Sequence, residues 1–81
     1  MIENHKKLEA IIGKHLKELR NRQGVSQEAL SLETGLDRSY ISMIERGKRN
    51  PTLVVVFRIC EVLDTPPFDL VKSIAKEYES S

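Results

Sequence analysis

Apolar positions recur at helical spacing along most of the chain, and no stretch alternates in the manner of a strand. Leu8, Ile12, Leu16 and Leu19 follow one another at four, four and three residues, which predicts one face of a helix from about Asn4 to Gln23. Gly24 supplies its left-handed stop. Ser26 is placed to cap a second helix, with Glu28 in the first turn, and that helix ends at Thr34-Gly35. Asp37 is placed to cap a third, whose inner face is Ile41 and Ile44, with Tyr40 and Met43 flanking and Gly47 closing it. Pro51 keeps Asn50 out of helical geometry, so Lys48 to Pro51 reads as a polar loop. Thr52 caps a fourth helix from about Leu53 to Leu63. Thr65-Pro66-Pro67 opens a fifth, over about 66–78, with Glu79, Ser80 and Ser81 expected to fray. The expected fold is all-α, a compact five-helix bundle in a single domain.

Composition narrows the class. A chain of 81 residues builds one thin core, so burial against a second subunit would help it. With 40% apolar and 31% charged residues it reads as globular rather than disordered. The longest apolar run, Leu53 to Phe57, is too short to span a bilayer, and charges break the first twelve residues, so a cytoplasmic (nucleoid-associated) protein is expected. His5 and His15 lack companion ligands and Cys60 is the only cysteine, which argues against a metal site or a disulfide. No nucleophile–base set, carboxylate pair or phosphate-cradling glycine loop is present. Neither an enzyme nor a cofactor nor a small-molecule ligand is expected.

Net charge is +1, but it is unevenly spread. Residues 37–58 carry Arg38, Arg46, Lys48, Arg49 and Arg58 against Asp37 and Glu45, a net of +3; residues 59–81 carry a net of −3. A basic middle and an acidic end suggest two faces with different partners.

The informative segment runs from Gln27 to Arg46. Two short helices joined by a few residues with a glycine in the turn make a helix-turn-helix. Ser31 lies where the helices cross and a bulky side chain would separate them. Gly35 can take the positive φ that reverses the chain. Leu30, Ile41 and Ile44 anchor both helices to the core, and Leu36 buries the turn.

This segment resembles the helix-turn-helix of the Xre family, which includes the lambda and 434 repressors and Cro. The resemblance runs from about Ile12 to Leu70. It is carried by Arg20-Asn21-Arg22-Gln23-Gly24, by Ser26-Gln27-Glu28 and by Ile44-Glu45-Arg46-Gly47-Lys48-Arg49-Asn50-Pro51. Leu36-Asp37-Arg38-Ser39-Tyr40-Ile41 is similar to the corresponding stretch of restriction–modification controller proteins. The chain departs from the family at Ser31, where alanine is commoner, and at Asp64, where glycine is. It also departs at Val54, Val55 and Phe68, which fall at positions usually polar.

The resemblance implies a regulator of transcription that binds double-stranded DNA at an inverted repeat. In such proteins the second helix enters the major groove N-terminus first. Arg38 and Ser39, then Ser42 and Met43 a turn later, are therefore the candidates for base contact. Arg38 leads, because a guanidinium can bond guanine O6 and N7 together. Met43 can instead pack on its own helix. Gln27 resembles the family's phosphate-binding glutamine at a helix N-terminus. Arg46, Lys48, Arg49 and Asn50 are candidates for the DNA backbone, as is Lys17, with Lys14 and Arg20 beside it on the first helix. Tyr40 has two roles open, contact with DNA or burial of its ring. Glu45 reads as structural, pairing with an arginine of the same domain.

The family's C-terminal region forms a dimer interface, which puts Phe68, Val71, Ile74, Val54 and Val55 between two copies; those of the fifth helix can instead complete the thin core. A homodimer also suits the physics, since two helices about 34 Å apart read a palindrome. The alternative is a protein-interaction module, antitoxin-like or adaptor, that uses Val54, Val55 and Phe68 to hold another protein.

Overall fold

The computed structural model describes residues 2–80, with side chains from residue 5 onward. Among these residues there are five helices and no strand: α1 (Ile2–Arg22), α2 (Gln27–Thr34), α3 (Arg38–Glu45), α4 (Leu53–Val62) and α5 (Pro67–Ser80). All five expected helices are present. The expected fraying at Glu79 and Ser80 is not found, while Ser81 lies outside the described residues. α5 stays wound because Glu77 ties it to α1: its carboxylate accepts from Lys14 Nζ at 2.9 Å and meets His15 Nε2 at 2.7 Å. Those two bonds also hold the Glu77 carboxyl below its ordinary pKa, Lys14 contributing most.

The caps explain where the helices start. Ser26 Oγ accepts from Ala29 N at 3.0 Å, and Thr52 Oγ1 from Val55 N at 3.1 Å, as their positions predict. Asp37 occupies the N-cap of α3 but makes no side-chain capping bond. Its carboxylate accepts instead from Ser39 Oγ at 2.8 Å, a local bond that competes with the cap.

The C-terminal ends of α1, α3 and α4 close with one hydrogen-bond pattern. For α3, Lys48 N donates to Met43 O at 2.8 Å and Gly47 N to Ile44 O at 3.0 Å, with Gly47 at φ 74°. At the end of α4 the left-handed residue is Asp64, at φ 52°, the substitution of aspartate for glycine noted in the sequence.

All five helices supply the core. Ile11, Leu16 and Leu19 come from α1, Leu30 from α2, Ile41 and Ile44 from α3, Val56, Ile59 and Cys60 from α4, and Leu70 and Ile74 from α5, with Leu63 just beyond α4. The buried strip of α1 differs from the one its spacing predicts. Ile11 is buried, whereas Leu8 and Ile12 pack only partly against the cluster. Cys60 has no exposed surface, and burial raises its thiol pKa, as suits an inert hydrophobe.

Gly13 explains why α1 turns this way. A Cβ there would sit inside contact distance of the Ile44 carbonyl oxygen and 2.8 Å from that of Glu45, so α1 meets the end of α3 backbone to backbone. Alanine normally gains up to about 1 kcal/mol over glycine inside a helix. Here the clash is with backbone that cannot step aside, and overpacking of that kind costs about 1–3 kcal/mol or more. Gly13→Ala is therefore expected to lower the urea midpoint by a net amount equivalent to about 1 kcal/mol or more. An unchanged or higher midpoint would refute the close approach.

Candidate nucleic-acid interface

The unit formed by α2 and α3 rests on Leu30, Ile41 and Ile44, each 1% exposed. Between the two helices the turn passes through Gly35 at φ 77°. Two hydroxyls satisfy the backbone around it. Ser31 Oγ donates to Leu36 O at 2.5 Å, so the serine that stands where alanine is commoner brings its own bond to the crossing. Thr34 Oγ1 donates to Leu30 O at 2.6 Å and accepts from Leu36 N at 3.1 Å. Thr34 is buried and was not singled out from the sequence; its position one residue before the turn glycine is the signal that could have found it.

A second set of bonds braces the far end of α3. Arg20 Nε donates to Glu45 Oε2 at 2.6 Å and Nη2 to Glu45 Oε1 at 2.9 Å, a two-point pair between side chains only 9% and 4% exposed. Arg20 Nη1 also donates to Val25 O at 2.8 Å. Gln27 Nε2 donates to Glu45 Oε1 at 3.0 Å. The end of α1, the loop after it, the start of α2 and the end of α3 are thus held at one carboxylate. The hydrogen bonds that Arg20 donates to Glu45 raise the Arg20 pKa despite burial, so the guanidinium stays charged.

This geometry corrects one expectation and gives two other candidate residues partners within the protomer. Arg20 does not lie on an exposed basic face; it is buried, and its role is the structural one foreseen for the partner of Glu45. Lys14 is drawn to Glu77 on α5. The amide nitrogen of Gln27 donates one of its two N–H groups to Glu45, which braces the start of α2 against α3.

The outward residues of α3 fall as their spacing predicts. Arg38 and Ser39 are exposed and Ser42 and Met43 half-buried. Ser39 donates its hydroxyl to Asp37, while no ion pair engages Arg38 among the described residues. Lys17, Arg46, Lys48, Arg49 and Asn50 are all exposed. Arg46 Nε reaches back to Ser42 O at 3.4 Å. Tyr40 is half-buried against the core, and the Arg49 guanidinium lies over its ring, 5.3 Å from the centroid.

The expected dimer residues separate into two groups. Phe68, Val71 and Val54 are exposed, at 73%, 45% and 67%. Val55 packs partly against the core, and Ile74 is buried inside the protomer, because on α5 it shares the inner face with Leu70. Leu53 and Phe57, which were not singled out, are exposed on α4 beside Val54. Spacing of three and four residues from Val54 and Leu53 was the signal for Phe57. Phe57 and Pro67 line one open groove, which links this face of α4 to the start of α5. No helix is long and apolar enough to cross a membrane, and no group of three metal-ligating side chains occurs among the described residues.

Comparison with known proteins agrees with this architecture. The helix-turn-helix family HTH_3 matches residues 16–70. The control protein C.MunI of a Mycoplasma species is 41% identical over 66 residues, covering 80% of this chain and 89% of that protein. The restriction–modification controller protein C.AhdI from Aeromonas hydrophila superposes with a TM-score of 0.73 at 44% identity, over 76% of this chain and 94% of that one. The controller C.Esp1396I, solved as a tetramer in complex with its natural 35-base-pair operator, superposes with a TM-score of 0.78 at 32% identity, over 88% and 93%. These relatives are control proteins and regulators, not enzymes. From the middle of α1 to the first turn of α5, and with the two-helix unit intact between them, the chain belongs to the Xre-type helix-turn-helix family of transcriptional regulators, alongside the restriction–modification control proteins.

Proposed function

We propose that the chain is a controller of this kind, binding an inverted-repeat operator in double-stranded DNA as a homodimer with α3 in the major groove of each half-site. One observation carries the reading: the buried Arg20–Glu45 pair, joined by Gln27, fixes α3 at its far end, while Arg38 stands exposed at the near end with no ion pair among the described residues. A rigid helix that offers an uncommitted guanidinium is what direct readout of guanine needs. Arg38 is the main base-reading residue, Ser39, Ser42 and Met43 adding contacts around it. Arg46, Lys48, Arg49, Asn50, Lys17 and Gln27, with the amides opening α2, hold the phosphates. Phe68, Val71 and Val54, joined by Leu53 and Phe57, bury one protomer against the other. The protein acts where its DNA is, in the cytoplasm on the nucleoid, and carries out no catalysis.

Lys48→Ala is expected to weaken binding to all duplexes alike and to flatten the salt dependence by about one counterion per protomer. Fluorescence anisotropy with two unrelated duplexes over a range of salt checks this. A loss confined to one sequence would contradict the assignment of Lys48 to the backbone.

The exposed face of α4 and α5 also suits the second reading, a module that holds another protein. Light scattering separates the two. A dimer at micromolar concentration, dispersed by Phe68→Asp, accounts for the apolar face; a monomer that stays monomeric on DNA favours the module.

A further inference from the structure

We infer that Tyr40 acts on DNA through Arg49, as the platform that holds this guanidinium against the recognition helix, rather than through its own hydroxyl. The inference rests on the DNA-binding reading above and assigns a role within it. Arg49 belongs to an exposed loop, where a long cationic side chain would ordinarily sample many rotamers. Two features remove that freedom. The loop leaves α3 by a fixed path, through Gly47 in the left-handed region and the bond from Lys48 N to Met43 O at 2.8 Å. The guanidinium then lies over the Tyr40 ring, 5.3 Å from its centroid.

The ring is itself fixed, since Tyr40 packs against the buried cluster in the first turn of α3, next to Ile41. A rigid aromatic face thereby joins the start of the recognition helix to the loop that follows its end. An arginine stacked in this way keeps the edges of its planar fork free, and the fork suits two phosphate oxygens. Its ordering is completed before DNA arrives, so less rotamer entropy is lost on binding. Neither residue type nor spacing in the sequence signals the pair, because nine positions separate them across a loop.

The test is a double-substitution cycle with Tyr40→Phe, Tyr40→Leu, Arg49→Ala and the combined Tyr40→Leu/Arg49→Ala, measured on one operator duplex and one random duplex across salt. Circular dichroism and urea unfolding identify the conditions in which every variant is folded. Tyr40→Phe keeps the ring and is expected to bind within about twofold of the unchanged protein. Tyr40→Leu and Arg49→Ala are each expected to weaken both duplexes by about three- to tenfold and to flatten the salt slope equally. The combined variant should bind no worse than Arg49→Ala alone. The assignment is overturned if Tyr40→Phe is as damaging as Tyr40→Leu, which would make the hydroxyl the contact. It is equally overturned if the losses from the two residues multiply. Absence of salt-dependent duplex binding by the unchanged protein would instead remove the DNA-binding reading, and this inference with it.

Discussion

Glu45→Ala is expected to lower folding stability by about 3–5 kcal/mol, the usual cost of leaving one partner of a buried ion pair behind. The value belongs at the upper end because Arg20 loses both of its bonds to the carboxylate at once, with both side chains less than a tenth exposed, and Gln27 loses its acceptor. A domain of this length has a stability of roughly 4–12 kcal/mol, so the change removes a large part of it. Urea unfolding followed by circular dichroism reads the loss directly. Two companions separate an unpaired charge from simple loss of packing. Glu45→Gln keeps the volume and one acceptor but leaves the Arg20 charge unpaired, so most of the loss should remain if charge and not packing sets it. The apolar exchange Arg20→Met/Glu45→Leu should recover most of the stability, since a buried ion pair is often no better than hydrophobic residues of like volume. If Glu45→Ala were within about 1 kcal/mol of the unchanged protein, as surface substitutions commonly are, the brace would carry none of the weight placed on it.

Arg38→Ala is expected to have the second large effect, on DNA and not on folding. A two-point contact to guanine is worth about 1–3 kcal/mol of discrimination. A dimer uses it twice, which brings the loss on a cognate operator to about 2–6 kcal/mol, or roughly 30-fold to 10⁴-fold. Random duplex, held through phosphates, should lose far less. The unfolding midpoint should not move, because Arg38 is exposed and makes no ion pair among the described residues. Equal losses on cognate and random DNA would move Arg38 from reading bases to holding the backbone.

Both effects depend on parts of the chain that differ in how far they can be read in advance. The helix starts are local events, and Ser26 and Thr52 cap as their positions predict. The inner faces of α2 and α3 follow from period alone, which is why Leu30, Ile41 and Ile44 were identifiable as anchors. Arg20 was not legible in the same way. On a helix carrying Lys14 and Lys17 it looks like one more basic surface residue, and its partner Glu45 is 25 positions away. Periodicity contains no information about such a pair. Only the approach of α3 to Gly13, which turns Ile11 and Arg20 inward, makes it.

The same reason explains α5. Phe68, Val71, Leu70 and Ile74 are all apolar, and spacing separates two faces without saying which one the rest of the chain covers. Packing against α1 settles it, burying Leu70 and Ile74 and leaving Phe68 and Val71 outside. Asp37 illustrates a third kind of difference. Its residue type favours a capping bond, but a hydroxyl two positions on is an equally local partner for the carboxylate.

Whether α3 reads sequence as half of a symmetric dimer is decided by selecting bound duplexes from random DNA at physiological salt. A symmetric reader enriches an inverted repeat whose half-sites are centred about one helical turn, or a whole number of turns, apart, with guanine at mirrored positions. Repeating the selection with Arg38→Ala should lose the preference at those positions alone. Recovery of no common sequence, with binding that is weak and governed only by salt, would rule out base reading by α3.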